Sequence, residues 1–278
     1  MKEVFTMWKN TRMIILVALS AAIYAAFLIV FKGGIPIVPG ITEVRPANVF
    51  PPVFSLLFGP AGAWGSAIGN LIGDLFGGTL GIGSIFGFVG NFFLGFIPYK
   101  MWGAVFGLVS KKDMSLVTNT GKKLAAFEIV ALTASAACGI IIAWYLDLAG
   151  IVPFAFLSIT ITINNFAAAF ILGPILLSLL YPRVKRWGLI WTDIMDPQEV
   201  AAGKAKNLGS ILMMVGSLGG LIIGLLVASG LAGQTIYGFT GEQGQVSVWL
   251  SVLPFLLLIL VASFMLSGRE QFVDEGEE

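Results

Sequence analysis

The sequence predicts an all-α fold, a polytopic bundle of membrane-spanning helices. Of its 278 residues, 57% are hydrophobic and only 11% are charged, and the mean hydropathy is +0.94. A soluble domain carries about 25% charged residues, so this chain has too little polar surface for a water-soluble globule. Apolar segments recur along its whole length, and about 20 apolar residues are enough for a helix to cross a bilayer. A soluble enzyme is therefore excluded first.

Missing residue types exclude further classes of protein. The chain has no histidine, which excludes Ser-His and Cys-His catalysis and a histidine ligand to haem or zinc. Its one cysteine, Cys138, excludes an intramolecular disulfide and a multi-cysteine cluster. The net charge of +1 gives no basic field for a nucleic acid. We expect no catalytic residue, no metal, no cofactor and no nucleic-acid partner.

Eight spans are predicted, six in a core and two in a C-terminal extension. Gly59-Pro60 separates the second and third spans and predicts a tight hairpin. The predicted spans are 12–31, 47–59, 61–77, 82–108, 123–147, 152–181, 207–232 and 245–267. They divide the chain into a six-helix core at 1–181, a cytoplasmic linker at 182–206, a two-helix C-terminal extension at 207–268 and an acidic cytoplasmic tail at 269–278.

Lysine and arginine predict how the chain is oriented. Of the 16 basic residues, 13 fall on one side of this topology: at the N-terminus and after spans four, six and eight. Because basic residues collect on the cytoplasmic side, both termini are expected in the cytoplasm and the chain in the cell membrane. Trp187 and Trp191 of the linker are expected at the inner membrane interface.

Glycines four residues apart predict where helices approach closely. Span three carries Gly65, Gly69 and Gly73 on one face, and span four has a similar row that includes Gly87 and Gly95. Because such a stripe lets a neighbouring backbone come near, we expect spans three and four to form a close pair. Packing alone would account for these glycines.

Polar residues within the spans carry the strongest functional signal, since burying them in hydrocarbon is costly. Asn70 and Asp74 lie four apart and share one face of span three. At about 1.5 Å of rise per residue, they and the amides of spans four and six lie in the outer half of the membrane. They predict a cavity open to the exterior and lined by amides, one carboxylate and aromatic residues. The predicted substrate-binding residues are Glu43, Arg45, Asn48, Asn70, Asp74, Asn91, Asn164 and Asn165.

Structural roles stay open for these residues. Asparagine side chains also bond helices to one another within membranes. Asp74 could simply reach the outer interface, and Glu43 and Arg45 could pair with each other. One carboxylate and several amides suit a neutral or zwitterionic heterocycle better than a strong polyanion.

Span one has a smooth face that suits another helix. Ala18, Ala22 and Ala26 lie four residues apart, so their small side chains share one side of the helix. The helix that packs there could belong to this chain or to a separate subunit.

A longer stretch carries a resemblance to a known family. Residues 57–65 are Leu-Phe-Gly-Pro-Ala-Gly-Ala-Trp-Gly, and residues 69–78 are Gly-Asn-Leu-Ile-Gly-Asp-Leu-Phe-Gly-Gly. This stretch resembles the Gly-Pro turn and glycine-rich helix of several vitamin-binding S components, the substrate-binding subunits of energy-coupling-factor (ECF) transporters. The alanine repeat and the six-helix core are similar as well, so the resemblance covers about residues 10–181. The last two spans depart from the family pattern.

The resemblance implies a subunit that captures a scarce vitamin-like micronutrient from outside with high affinity. It also implies that a membrane-embedded coupling subunit and two ATPase subunits engage the loaded protein, which then reorients in the lipid bilayer. Ala18, Ala22 and Ala26 would face the coupling subunit. The chain has no Gly-x-x-x-x-Gly-Lys-Ser/Thr phosphate loop, so ATP hydrolysis would belong to other chains.

Three other functions stay open. A self-sufficient ion- or proton-coupled secondary transporter would use Asp74 as its coupling carboxylate, although the internal repeat common in such proteins is not evident. An intramembrane aspartyl protease needs a second facing aspartate, and the spans supply one clear candidate. A scaffold protein would tolerate neutral substitutions at Asp74 and Asn164.

Overall fold

The structure is a computed structural model that describes residues 1–31, 45–110, 114–116, 120–197, 205–229 and 246–267, and the backbone of 36–38 and 42–43. Its helices are α1 (Lys2–Thr6), α2 (Thr11–Phe31), α3 (Phe50–Phe58), α4 (Pro60–Phe76), α5 (Ile82–Met101), α6 (Thr120–Leu148), α7 (Phe154–Arg186), α8 (Trp191–Ile194), α9 (Lys206–Met214), α10 (Gly220–Ala228) and α11 (Val246–Met265). Short 3-10 turns cover Met7–Lys9 and Pro46–Val49, and a π-helical turn, Val215–Gly219, joins α9 to α10.

The predicted helical membrane bundle is confirmed. Six helical segments are long and apolar enough to cross a bilayer, and a shorter apolar one covers Pro46–Phe58. The count of eight spans stays a prediction, since α3 has 9 residues and α4 has 17. Two short antiparallel strands, β1 (Pro36–Val38) and β2 (Thr42–Glu43), add a small hairpin after α2.

The fourth predicted span is too long at its C-terminal end. It was expected to reach residue 108, but α5 ends at Met101. Pro98 lies inside the last turn, Trp102 leaves the helical conformation with ψ at 123°, and Gly103 has a φ of +85°. A proline lacks a backbone N–H and a glycine favours positive φ, so together they end the helix although the following residues are apolar.

The predicted close pair of α4 and α5 is confirmed, but the glycine stripe of α4 faces α2 and does not form that contact. A Cβ on Gly65 would lie 2.4 Å from Ser20, and one on Gly69 would lie 2.9 Å from the carbonyl oxygen of Ala21. The close contact of α4 with α5 uses Gly95 of α5 instead, because a Cβ on Gly95 would lie 2.7 Å from the Cα of Ala63. Spacing identifies the face that carries the glycines, but it does not identify the neighbour.

One end of the bundle, the closed end, is sealed by residues 1–10, 99–102 and 187–196. Trp191 is 2% exposed and packs edge-on against Tyr99, with ring centroids 5.4 Å apart. It also covers the Gly59 turn, where φ is +56° and a Cβ would approach its ring to 2.4 Å. Trp187 is 66% exposed. The predicted interfacial position is therefore wrong for Trp191, which is part of the core.

A buried ion pair ties the N-terminal segment to the same end. Lys100 Nζ lies 2.5 Å from Glu3 Oε1, and the two side chains are 4% and 5% exposed. The Tyr99 hydroxyl donates to the same oxygen at 3.3 Å, and Trp64 Nε1 donates to the Val4 carbonyl at 2.9 Å. The segment before α2 is thus anchored to α4 and α5.

The C-terminal helices α9 to α11 pack on α6 and α7. Trp144 of α6 donates its Nε1 to the Trp249 carbonyl at 3.1 Å, and a Cβ on Gly224 would lie 2.4 Å from Phe154 of α7. Ala18, Ala22 and Ala26 on α2 remain exposed. The described helices of the extension therefore leave the alanine face of α2 open.

Candidate functional site

The opposite end of the bundle, the cavity end, contains a cavity of about 180 Å³. This volume lies below the range of about 300–1,000 Å³ that is typical of ligand pockets, so it limits a ligand to a compact molecule. Seven of the eight predicted substrate-binding residues line it, from four separate segments of chain: Arg45, Asn48, Asn70, Asp74, Asn91, Asn164 and Asn165. The side chain of the eighth, Glu43, lies outside the described residues.

The α4 wall of the cavity carries the carboxylate. Asn70 and Asp74 lie one helical turn apart, so both point the same way. Asn70 Nδ2 donates to Asp74 Oδ2 at 3.3 Å, and Thr79 Oγ1 donates to Asp74 Oδ1 at 3.3 Å. Gly87 of α5 makes room opposite them, since a Cβ there would lie 3.0 Å from Asn70 Nδ2. The carboxylate is thereby held in one orientation.

Arg45 supplies the positive charge of the cavity. Its Nη1 donates to Asn70 Oδ1 at 3.5 Å, and its backbone N–H donates to Asn164 Oδ1 at 3.1 Å. Arg45 therefore links the segment before α3 to both α4 and α7. Among the described lining residues, one guanidinium and one carboxylate balance each other, which fits a neutral or zwitterionic ligand better than a polyanion.

A second row of amides lies next to Tyr24 of α2. The Tyr24 hydroxyl is 2.9 Å from Oδ1 of Asn48 and 2.9 Å from Oδ1 of Asn91. Asn48 Nδ2 donates to Asn165 Oδ1 at 2.5 Å, and Asn91 Nδ2 donates to the Gly87 carbonyl at 2.8 Å. These bonds fix the amides before any ligand arrives, which lowers the entropy that binding must overcome.

The apolar part of the lining is aliphatic, so the prediction of aromatic residues is wrong for the described lining. It consists of Ile142 and Leu146 of α6, Ile151 of the next turn and Ile161 of α7. The aromatic rings at this end pack elsewhere: Phe86 stacks on Tyr145 with centroids 3.4 Å apart. A flat ligand would therefore place its faces against branched aliphatic side chains.

Sequence reasoning missed several residues of this region. Tyr24 is the one that a pattern could have revealed, because a tyrosine buried in an apolar span normally finds a partner for its hydroxyl. Thr79 follows the Gly77-Gly78 pair at the end of α4, and nothing in its neighbourhood distinguishes it from an ordinary loop residue.

The profile of the QueT transporter family matches residues 14–182 of the chain. This range is more than half of the chain and contains every described residue of the predicted site. The chain belongs to the QueT transporter family. This is a family of ECF-type S components, so the suspected resemblance is confirmed. Comparison with curated proteins and with solved structures gives no match.

Membership in the QueT family fixes the general function as membrane transport by an S component that captures a substrate. The matched range ends at 182, before α9, so the C-terminal helices lie outside the part that the family shares. The cavity belongs entirely to the shared part.

Proposed function

We propose that this protein captures a queuosine precursor from outside the cell and presents it for uptake. Two findings support the proposal: the QueT family is an ECF-type queuosine precursor transporter family, and one cavity gathers seven of the predicted binding residues. The convergence of amides, a carboxylate and a guanidinium from separate segments is the observation that carries it. A small polar ligand needs such groups within an otherwise apolar pocket.

The two kinds of lining suggest how the ligand is held. The edges of the ligand carry N–H and C=O groups that bond to the amides, Asp74 and Arg45. Its faces pack between the aliphatic side chains of α6 and α7. Glu43, on the strand before Arg45, stays a predicted substrate contact, and its side chain lies outside the described residues.

The positions of the basic residues support both termini in the cytoplasm of a multi-pass protein of the cell membrane. In this orientation the cavity end faces the exterior and the closed end faces the cytoplasm. Residues 1–181 then form the substrate-binding core, 182–206 the cytoplasmic linker, 207–268 the extension and 269–278 the tail.

Uptake would depend on a membrane-embedded coupling subunit and two ATPase subunits. The exposed face formed by Ala18, Ala22 and Ala26 is the surface that this proposal assigns to the coupling subunit. Small side chains permit the close helix contact that such docking needs.

Calorimetry on the purified protein in lipid nanodiscs tests the capture step. We expect one queuosine precursor bound per chain, and weaker binding by Asp74→Ala and Asn164→Ala with unchanged membrane insertion. Asp193→Ala, an exposed residue of α8 at the closed end, is the matched control and should bind normally. Unchanged affinity in both cavity variants would remove the site assignment.

Vesicle uptake tests the energy source. Accumulation should require the coupling module, and Ala22→Phe should abolish it while binding stays normal. Ala167→Phe, on an exposed position of α7, serves as the control. Accumulation driven by a proton or sodium gradient in vesicles that contain only this chain would favour the secondary transporter instead.

A further inference from the structure

Helix α2 has an exposed side and a buried side, and Tyr24 lies on the buried one. One surface is the exposed alanine face, and the other is the buried side that carries Tyr24, which is 1% exposed. Its hydroxyl lies 2.9 Å from Asn48 Oδ1 and 2.9 Å from Asn91 Oδ1. Both asparagines line the cavity, whereas Tyr24 stands behind them. Within the described residues, Tyr24 is the side chain of α2 that hydrogen-bonds to the cavity lining.

The remainder of the buried side of α2 offers few directional contacts. The residues of α2 buried besides Tyr24 are apolar apart from Ser20. The Ser20 Oγ has no hydrogen-bond partner within the described residues, and it packs against the glycine stripe of α4. The contacts of α2 with the glycines of α4 are close but include no side-chain hydrogen bond among the described residues, whereas a hydrogen bond depends on distance and angle. Tyr24 thus supplies the described directional side-chain contacts between α2 and the cavity wall.

The hydroxyl of Tyr24 also responds to what the asparagines bind. A phenol carries one proton and cannot donate it fully to two amide oxygens at once. Oδ1 of Asn48 or of Asn91 therefore keeps a capacity to accept an N–H from a ligand. A ligand that donates to either oxygen changes how the proton of Tyr24 is shared, and so changes the bonds that hold α2.

We propose that Tyr24 is a positioning residue that couples occupancy of the cavity to the position of the alanine face on α2. This inference rests on the proposed function, because it takes the cavity as the substrate site and the alanine face as the docking surface. Coupling between two sites is reciprocal, so a ligand that fixes α2 and a partner that needs α2 fixed strengthen each other's binding by the same factor.

Two nitroxide labels measure the position of α2. Ala22→Cys and Ala167→Cys place labels on exposed positions of α2 and α7, and Cys138, at 1% exposure, stays unlabelled. A queuosine precursor should narrow the distribution of label distances in the otherwise unchanged protein. In Tyr24→Phe the distribution should be broader without ligand and should not narrow with it. The precursor affinity should fall no more than about fivefold, the loss of one neutral hydrogen bond.

Two further variants separate the coupling from a general effect of losing a hydroxyl. Tyr145→Phe removes a hydroxyl from the tyrosine of α6 that stacks on Phe86, outside the described lining, and should leave the distances unchanged. Asn91→Leu removes one acceptor of the Tyr24 hydroxyl and should broaden the ligand-free distribution as Tyr24→Phe does.

The outcomes distinguish this inference from the proposed function. The inference would be overturned if the label distances in Tyr24→Phe had the same distribution width as in the unchanged protein and narrowed equally with the precursor, even with binding intact. Absence of precursor binding to the unchanged protein would overturn the proposed function. In that case the width of the ligand-free distance distribution in Tyr24→Phe still decides whether Tyr24 holds α2 in place. A broader distribution than in the unchanged protein supports this role, and an equal one rejects it.

Discussion

The two ends of this bundle handle buried polar groups in opposite ways. At the cavity end, nine polar or charged residues line a hollow. At the closed end, Glu3 and Lys100 satisfy each other beneath aromatic rings. The polar groups of the cavity end are arranged around an open hollow, whereas those of the closed end are paired with each other. The difference teaches that buried polar groups in one helical bundle can either line a cavity or tie segments of the chain together.

Breaking the ion pair of the closed end should have the largest effect. Glu3→Gln leaves the buried ammonium of Lys100 without an anion, and removal of one member of a buried pair costs about 3–5 kcal/mol. We expect a clear fall in the thermal unfolding midpoint of the protein in detergent.

The double variant Glu3→Gln/Lys100→Met is the control for that loss. It removes both charges and should recover most of the stability, because a well-packed apolar pair can replace a buried ion pair. A double variant as unstable as the single one would show that the polar contacts of Glu3 with the rest of the closed end matter more than the charge pair.

At the cavity end, loss of a charge should alter binding rather than stability. Asp74→Asn keeps the shape of the side chain but removes its charge, and hydrogen bonds to charged groups contribute about 1.5–3 kcal/mol. Binding of the queuosine precursor should weaken about 10- to 100-fold in calorimetry, with the unfolding midpoint nearly constant. Asp193→Asn, at an exposed position of the closed end, should leave the affinity unchanged.

A glycine at the cavity wall provides a finer test of the geometry. In Gly87→Ala the new Cβ would lie 3.0 Å from Asn70 Nδ2 and 3.8 Å from Asp74 Oδ2, so the amide must shift. We expect about fivefold weaker precursor binding, equal to one neutral hydrogen bond. Gly121→Ala, whose Cβ would meet nothing within 4 Å, is the matched control. Equal affinities in the two variants would argue that Asn70 is not part of the site.

The smallest expected effect is the loss of stability at low pH, and it again involves Glu3 of the closed end. Burial alone would raise the pKa of Glu3, but the positive charges of Lys100 and the Met1 amine outweigh it, and the pKa is lowered from 4.5. The stabilisation from this carboxylate is therefore complete above pH 4.5 and is lost as the pH falls through its lowered pKa. The difference in unfolding midpoint between the protein and Glu3→Gln should shrink as the pH falls below 4.5.

Part of the cavity could be predicted from the sequence because the signal is local. Asn70 and Asp74 share a helix face by spacing alone, and their cost in hydrocarbon marks them as unusual. The partner of each group is set by tertiary packing, which spacing does not encode. The glycines of α4 therefore turned out to face α2, and the rings expected in the cavity pack elsewhere.

The closed end escaped prediction for a related reason. Trp191 lies in the predicted cytoplasmic linker, so its sequence position does not indicate burial. Its ring fits into the core because Gly59, in a turn with positive φ, has no Cβ to clash with it. Glu3 precedes the first span, far in sequence from Lys100, so nothing local pairs them. Long-range contacts of single residues leave no periodic trace in a sequence.

The helices that follow the family region have a mechanical consequence. Two hydrogen bonds attach them to the core. Trp144 Nε1 donates to the Trp249 carbonyl, and the Ser210 hydroxyl donates to the Ala104 carbonyl at 2.8 Å. If the core tilts during uptake, as the resemblance to S components implies, it has to carry these helices with it and displace the lipids around a wider body. The thickness and packing of the surrounding bilayer should therefore set the speed of transport more strongly here than in an S component built from the core alone.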